Sequence, residues 1–218
     1  MTGRFAQLAF TQDVQRHQRE HGSDRAYRRM MEGPGDPDRI GEDERAFIET
    51  RESFYLASVG QTGWPYIQHR GGPPGFLKVL DEQTIGFADF RGNRQYITVG
   101  NLDHDERVSL FLMDYAHQAR MKILGRARVE EGDSPPAVAD YRAKVERTVL
   151  ITVEAFDWNC HQHIPQLFPP PGGGGCAHLD AGTHRAAGAG TARGPRLSVE
   201  TTPTTAEPLL IEPDRRTS

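Results

Sequence analysis

The fold is decided by the stretch FYLASVGQTGWPYIQH, residues 54–69. Two runs rich in β-branched and aromatic side chains, with alternating apolar and polar positions, flank the turn residues GQTG at 60–63. This pattern is typical of two antiparallel strands with one buried face. Runs of the same kind recur further along the chain at a spacing of about ten residues. The sequence therefore predicts an antiparallel barrel or sandwich.

Seven strands are predicted in the middle of the chain. They are residues 54–59, 64–69, 76–80, 84–90, 107–113, 120–129 and 148–156. The alternation predicts that seven apolar side chains fill the barrel: Leu56, Ile67, Phe87, Leu110, Leu112, Ile123 and Ile151. A helix from Arg94 to about Asn101 is predicted after the fourth strand, with Asn93 as its cap. Its inward positions are Tyr96, Ile97 and Val99. A second helix is predicted near residues 136–145.

Two flanking regions frame the barrel. Residues 1–41 are predicted to be an N-terminal arm with short helices at 11–21 and 23–31, and the barrel domain, residues 42–168, begins with a helix at 41–48. Ile40, Phe47 and Ile48 give that helix its buried face. All 18 aromatic residues lie at or before Phe168, whereas residues 169–218 contain 8 Gly and 7 Pro. Such a composition predicts a disordered tail.

Charge and motif content exclude several classes of function. A net charge of −4, from 26 basic and 30 acidic side chains, disfavours binding to nucleic acid or to a membrane surface. Without an apolar signal core or membrane span, the protein is expected to be cytoplasmic. The segment WNCHQH at 158–163 lacks the second ligand pair that a zinc site needs, so no metal is predicted. Glycine-rich nucleotide loops and a serine nucleophile motif are also missing.

Three basic elements are candidates for an anion site. In the first, the strand that ends in ADF is followed by RGNRQ at 91–95, so Arg91 and Arg94 flank a predicted helix start, which favours phosphate. The second is Gln68-His69-Arg70, and the third is Arg120 and Lys122, which share one face of a strand. The three elements could converge on one polyanionic ligand. Each is also compatible with an ordinary solvated surface.

Together these segments resemble a known family, the pyridoxamine 5′-phosphate oxidase-like, FMN-binding split-barrel proteins. The resemblance extends from about residue 42 to 168 and rests on FYLASVG at 54–60, GWPYIQHRGG at 63–72 and GFADFRGNRQY at 86–96. The segments at 101–102 and 122–127 extend it. The chain is most similar to a flavin-nucleotide-binding branch without an assigned reaction, which carries QHRGG and ends near WNC. The fold class expected is mainly β (α+β), an antiparallel split β-barrel with a few short helices.

The resemblance implies a homodimer with FMN in two symmetric clefts at the interface. It places Asn93, Arg94 and Gln95 at the phosphate-binding motif, where Gln95 replaces a lysine. Gln68 falls near the family's strand arginine, and His69 and Arg70 offer further donors. The segment Arg120-Met121-Lys122 lacks the glutamine that approaches the flavin ring. Cofactor contacts are thus expected from Gln68, His69, Arg70, Arg91, Asn93, Arg94, Gln95, Arg120, Lys122 and Trp158.

The expected activity is an FMN-dependent oxidoreductase acting on a small-molecule substrate, with NAD(P)H as a candidate electron donor. His69 is the candidate acid or base because histidine titrates near neutral pH. Trp158 is a candidate lid over a flat ligand, or else a side chain that plugs the barrel. Residues 158–165 depart from the substrate-binding C-terminus of the vitamin B6 enzyme, which argues against a true pyridoxamine or pyridoxine 5′-phosphate oxidase. The alternative is a non-catalytic protein that binds, stores or senses flavin, deazaflavin or haem.

Overall fold

A computed structural model describes residues 2–131, 144–158 and 162–168. All of them belong to one compact unit. The helix predicted near 136–145 falls almost entirely outside the described residues, as do Asn159, Cys160 and the tail from residue 169. The predicted tail and the domain boundaries therefore remain predictions. Within the described residues, no helix is long and apolar enough to cross a membrane.

The core of the fold is a curled, antiparallel sheet of seven strands, which confirms the predicted fold class. The strands are β1 (Ser53–Val59), β2 (Pro65–Gly71), β3 (Leu77–Val79), β4 (Thr84–Phe90), β5 (Arg107–Asp114), β6 (Ala119–Glu130) and β7 (Val145–Trp158). Their order across the sheet is β2-β1-β5-β6-β7-β4-β3. Strand β7 begins at Val145, three residues before the predicted start, and continues to Trp158.

The seam of the barrel lies between β2 and β4, and side chains close it. The backbone ladder pairs β2 with β1, and it pairs β4 with β3 and β7. Arg70 of β2 forms an ion pair with Asp89 of β4. This pair joins two strands that are separated by four others in the order of the sheet.

Six of the seven predicted core residues are buried: Leu56, Phe87, Leu110, Leu112, Ile123 and Ile151. The prediction for Ile67 is wrong, because its side chain is 65% exposed. Ile67 lies opposite Ala57 in the β1–β2 ladder, on the outer face of the sheet. The side chains of β2 that point inward are those of Tyr66 and Gln68, on either side of Ile67. In this edge strand, the most hydrophobic residue therefore does not mark the buried face.

A bulge in the longest ladder lets the sheet bend. The pairing between β6 and β7 shifts register between Leu124 and Gly125. A Cβ atom on Gly125 would lie 2.6 Å from the carbonyl oxygen of Thr152 and 2.7 Å from Cγ2 of Ile151. Glycine is therefore required at this close approach.

Five helices complete the described fold: α1 (Gly3–Ala9), α2 (Gln12–Glu20), α3 (Asp24–Met31), α4 (Glu42–Glu49) and α5 (Ile97–Leu102). The unpredicted α1 buries Phe5 and Ala6 and packs on β7. The hydroxyl of Thr2 caps α1 and donates a hydrogen bond to the carbonyl oxygen of Phe156 at 3.0 Å. Helices α2 and α3 bury no residue. In and beside α4, Ile40 and Ile48 are buried, and Phe47 is partly buried against the core.

The predicted helix at 94–101 is wrong at its start and on its buried face. Helix α5 begins at Ile97 and has six residues. The residue before it, Tyr96, adopts a left-handed conformation with φ 53°. Tyr96 and Ile97 are exposed, and the buried side chain is Thr98, which is polar and hydrogen-bonded to β2. Because the buried residue of α5 is polar, its position cannot be predicted from the periodicity of apolar residues.

Candidate functional site

A cleft opens at the seam, bounded by β2, the end of β4, the start of β7 and the loop that leads into α5. Its volume is about 240 Å³. Its lining is mainly polar and comes from distant parts of the sequence: Tyr66, Gln68, Arg70, Asp89, Phe90, Gly92, Asn93, Arg94, Gln95, Tyr96, Ile97, Thr98, Val99 and Glu146. The structure thus brings together two of the three basic elements predicted from the sequence.

Alternation along β2 decides which of its side chains reach the cleft. Gln68 and Arg70 point to the inner side, and Oε1 of Gln68 accepts a hydrogen bond from the hydroxyl of Thr98 at 2.8 Å. His69 points to the opposite face. There its ring packs edge-on against Tyr55, with 5.7 Å between centroids. In this chain, His69 therefore does not line the cleft with the other predicted cofactor residues.

Asp89 forms the floor of the cleft between two arginines. Nη1 of Arg70 donates to Oδ1 of Asp89 at 2.5 Å. Arg147, which pairs with Asp89 in the β4–β7 ladder, places its Nη1 3.9 Å from Oδ2 of the same carboxylate. Both arginine side chains are 14% exposed and the carboxylate is 11% exposed. Asp89 thus holds two guanidinium groups across the seam.

Arg147 lies behind the lining of the cleft, where it contacts Asp89, Glu146 and Tyr96, and the sequence does not predict this position. Its guanidinium carbon lies 5.0 Å from the centre of the Tyr96 ring, and Nη2 lies 3.8 Å from Oε2 of Glu146. The last strand predicted from the sequence starts at residue 148, so it does not include Arg147. Its place opposite Asp89 depends on the register between β4 and β7, which the local sequence does not show.

The loop at 91–96 carries the predicted phosphate-binding residues. Oδ1 of Asn93 accepts from the backbone N–H of Gln95 at 3.2 Å, which makes a local turn instead of a helix cap. Arg94 is left-handed (φ 59°), and its Nε donates to the Tyr96 hydroxyl at 3.0 Å. This hydrogen bond raises the pKa of the exposed Arg94. Arg91 lies at the rim, with Nε 3.5 Å from Oε1 of Glu146.

The third predicted basic element lies elsewhere in the chain. Nζ of Lys122 is 3.6 Å from Oδ2 of Asp157 and 5.6 Å from the centre of the Phe5 ring, beneath α1. Arg120, two residues earlier in β6, is partly buried, and its Nε has no hydrogen-bond partner among the described residues. Neither residue lines the cleft. The predicted convergence of three basic elements within one chain is therefore not observed.

Trp158 is fixed to α4, and it does not lie over the cleft. Its Nε1 donates to Oε1 of Glu44 at 2.9 Å, and its ring packs edge-on against Phe47 at 4.7 Å between centroids. A tryptophan held by both a hydrogen bond and a ring contact is a structural anchor in this chain. Within one chain, Trp158 therefore does not form the lid that the sequence predicts.

Arginines in and beside the cleft are candidates to bind an anionic ligand. Arg70 and Arg94 line the cleft together with two carboxylates, Asp89 and Glu146, so the formal charges of the lining balance. Arg91 and Arg147 lie beside this lining, within ion-pair distance of Glu146 and Asp89. Guanidinium groups bind phosphate and carboxylate oxygens in pairs. Within the part of the chain that the structure describes, no three His, Cys, Asp or Glu side chains are grouped closely enough to hold a metal ion.

The sequence matches the model of a known protein family. The family model for pyridoxamine 5′-phosphate oxidase matches residues 40–158, which is more than half of the chain. The chain belongs to this family. The matched range contains all seven strands and the cleft residues described above. No protein of curated function matches the sequence.

Several solved structures are similar to this chain at low sequence identity. HupZ from Group A Streptococcus is 16% identical, with a TM-score of 0.44, and the match covers 54% of this chain and 91% of HupZ. A relative of general stress protein 26 from Clostridium acetobutylicum is 13% identical, with a TM-score of 0.39 and coverage of 55% and 87%. An FMN-binding protein from Syntrophomonas wolfei is 12% identical, with a TM-score of 0.39 and coverage of 64% and 92%.

Proposed function

We propose that this protein binds FMN in the seam cleft and acts as an oxidoreductase on a small-molecule substrate. The observation that carries the proposal is the cleft itself, where Arg70 and Arg94 lie in the lining and Arg91 and Arg147 lie beside it, in a chain of the pyridoxamine 5′-phosphate oxidase family. Guanidinium groups are well suited to hydrogen-bond the oxygens of a phosphate monoester.

The residues present fit a flavin nucleotide. Nε of Arg70 is buried and has no hydrogen-bond partner among the described residues, so this arginine beside the cleft keeps one donor that its own chain does not satisfy. Arg94 and the amide groups of Asn93 and Gln95 lie on the exposed loop, where they can close on the phosphate group. Gln68 lines the cleft, and its side-chain NH₂ group is a further donor because only its Oε1 is bonded to Thr98. FMN, when bound, supplies hydride and electron transfer, and the chain's own residues bind and orient it.

We further propose that two chains complete the site as a homodimer. A cavity of about 240 Å³ is smaller than the 300–1,000 Å³ that is usual for ligands of this size. On the outer face, Tyr55, Ala57, Ile67, Ser109 and Phe111 line an apolar groove. Ile67 and Tyr55 are 65% and 42% exposed. Burial of this groove against a second copy would explain why large apolar side chains face outward on an edge strand.

The alternative, a protein that binds flavin without catalysis, is favoured by one observation. His69, the predicted acid or base, lies on the far face of β2, and the carboxylates Asp89 and Glu146 are both paired with arginine. Among the described residues, the lining of the cleft therefore contains no histidine and no carboxylate that is free of arginine. Proton transfer, if required, would come from the hydroxyl of Tyr66, from the substrate, from water or from a second subunit.

One spectroscopic experiment separates these possibilities. The purified protein is expected to bind FMN at about one equivalent per chain and to sediment as a dimer. Bleaching of the flavin bands by NAD(P)H, followed by reoxidation in air, supports the oxidoreductase. Flavin bands that stay unchanged with reductant support the binding protein. Failure to bind FMN at micromolar concentration would overturn the proposal, and Ile67→Glu tests the dimer because it places a charge in the groove.

A further inference from the structure

The loop at 91–96, called here the cleft loop, forms one wall of the cleft and differs from the opposite wall. It contributes five lining residues, all of them exposed: Gly92, Asn93, Arg94, Gln95 and Tyr96. The opposite wall belongs to β2 and β4, where Arg70 and Asp89 are 14% and 11% exposed. Backbone pairing holds both strands in the sheet. A ligand that needs more room than the cleft offers therefore displaces the loop and not the sheet.

Both ends of the cleft loop are anchored. At its start, the backbone N–H of Arg91 donates to the carbonyl oxygen of Lys144 at 2.9 Å. Just after its end, the buried Thr98 donates to Oε1 of Gln68 at 2.8 Å. Between these anchors, no hydrogen bond joins residues 92–95 to another element of the described chain. The loop is therefore free to swing between two fixed points.

Tyr96 supplies the side-chain contacts that hold the cleft loop in place. Its ring lies over the guanidinium group of Arg147, behind the lining, with 5.0 Å between the ring centre and the guanidinium carbon. Its hydroxyl accepts a hydrogen bond from Nε of Arg94 at 3.0 Å. Cation–π contacts at exposed positions are weak. Because Tyr96 is 41% exposed, water can replace both contacts when the side chain swings out.

The backbone of the cleft loop favours this release. Arg94 and Tyr96 both adopt left-handed conformations, with φ values of 59° and 53°. A non-glycine residue adopts this region at an energetic cost, and such strain persists only where surrounding contacts maintain it. When the contacts of Tyr96 break, both residues can relax. The relief of strain therefore offsets part of the cost of opening the loop.

We propose that the cleft loop is a gate and that Tyr96 is its latch. A ligand enters after the Tyr96 ring leaves Arg147, and the ring returns once the ligand is bound. Tyr96 thus acts on the rates of entry and exit, and it is a positioning residue for the loop. The inference rests on the proposed function, because it concerns access to the same cleft. A latched gate lowers both rates in proportion to the fraction of time that it is open.

Stopped-flow fluorescence tests the latch through the rates of FMN association and dissociation in wild type, Tyr96→Asn and Tyr96→Phe. Asparagine tolerates the left-handed backbone and lacks the ring, so it breaks the latch without adding strain. We expect Tyr96→Asn to raise both rates by about threefold to tenfold, with a smaller change in Kd. Tyr96→Phe loses only the hydrogen bond to Arg94 and should raise them less. Tyr115→Asn is the matched control, because Tyr115 is 39% exposed and lies outside the lining.

The pattern of the two rates separates a latch from a ligand contact. A faster dissociation with an unchanged association rate in Tyr96→Asn would mean that the ring contacts the ligand, and it would overturn the latch. Association rates that rise equally in Tyr115→Asn would also overturn it, since the effect would not depend on the cleft loop.

A second measurement needs no flavin. Relaxation dispersion of backbone ¹⁵N in the ligand-free protein should show two-state exchange at residues 92–97, should show none at residues 66–70, and should change at 92–97 in Tyr96→Asn. A chain that exchanges in this way but never binds FMN supports the gate and contradicts the flavin proposal. A chain that binds FMN with equal association rates in wild type and Tyr96→Asn supports the flavin proposal and overturns the gate.

Discussion

Two arginine–aspartate pairs of almost equal burial lie in different regions of the barrel. Arg51 and Asp114 are 13% and 12% exposed, and Arg70 and Asp89 are 14% and 11% exposed. Arg51 also donates from Nε to the carbonyl oxygen of Phe47 at 3.1 Å and from Nη1 to that of Met113 at 3.0 Å. Arg70 keeps one buried nitrogen without a partner and lines the cleft.

The difference between the pairs indicates their roles. A guanidinium group that is satisfied by its own chain ties structural elements together, as Arg51 does for the ends of α4 and β5. A guanidinium group that remains partly unsatisfied beside a cavity, as Arg70 does, is a candidate for contact with a ligand. Arg51 and Arg70 cannot be distinguished by their burial or by their aspartate partners, which are alike in the two pairs.

The largest expected effect is a loss of stability when the pair of Arg51 and Asp114 is broken. Arg51→Met should lower the free energy of unfolding by about 3–5 kcal/mol, because it leaves Asp114 buried without its guanidinium partner. Urea unfolding measures this change, and FMN affinity of the folded protein should stay at the wild-type value. Arg70→Met should cost less stability, because Arg147 remains near Asp89, but it should weaken FMN. Equal losses of FMN affinity in both variants would remove the distinction.

The next effect is on binding, at the exposed side of the cleft. Arg94→Ala should weaken FMN by about 10- to 100-fold, which corresponds to about 1.5–3 kcal/mol for one charge-assisted hydrogen bond to phosphate. Its melting temperature should not change, since Arg94 is exposed. Arg107→Ala is the control, because Arg107 is 74% exposed and paired only locally with Asp105. Wild-type FMN affinity in Arg94→Ala would exclude Arg94 from the phosphate site.

A smaller effect is expected at Trp158. Trp158→Phe removes the hydrogen bond to Glu44 and keeps an aromatic ring against Phe47, so it should destabilise the fold by about 1 kcal/mol. Thermal unfolding tests this, and FMN titration should give the wild-type affinity. Trp64→Phe is the control because Trp64 is 77% exposed. Loss of FMN binding in Trp158→Phe alone would restore the lid that the sequence suggested.

The smallest effect concerns a third, more exposed cluster, which anchors α1. Glu154 accepts from Arg126 at 2.9 Å and Arg4 at 3.3 Å, and these hydrogen bonds lower its pKa from the usual 4.5. Because the folded pKa is depressed, this stabilisation is present above about pH 4.5 and is lost as pH falls through the lowered pKa. Glu154→Gln should cost about 0.5–1 kcal/mol at pH 7. The acid limb of a stability–pH curve should become shallower, and an unchanged curve would contradict this assignment.

The sheet could be predicted from sequence because most strands have one apolar face. The alternation in Leu110, Leu112 and Ile123 reports burial directly. It failed at β2, where the inner face carries Gln68 and Arg70 and the outer face carries Ile67. The polar inner face of β2 lines the cleft, so the alternation of apolar residues fails as a predictor at the candidate site.

The candidate site was predictable only where its residues are adjacent in sequence. Asn93, Arg94 and Gln95 form one motif, and Gln68 and Arg70 form another. Arg147 lies beside Asp89, behind the lining of the cleft, because of the register between β4 and β7, which is a property of strand pairing and not of local sequence. Conversely, the sequence predicts that Lys122 contacts the cofactor, but in the structure it lies beside Asp157, beneath the unpredicted α1.

Gly125 shows that a position remote from chemistry can tolerate as little change as an active-site residue. Any side chain there would press into the carbonyl oxygen of Thr152 and the methyl group of Ile151. In a scan of all substitutions selected for function, position 125 would be depleted as strongly as the cleft arginines. Only a selection that reports folding separately would reveal that its constraint is steric. Sequence invariance at this glycine would therefore record the curvature of the sheet and not the identity of a ligand.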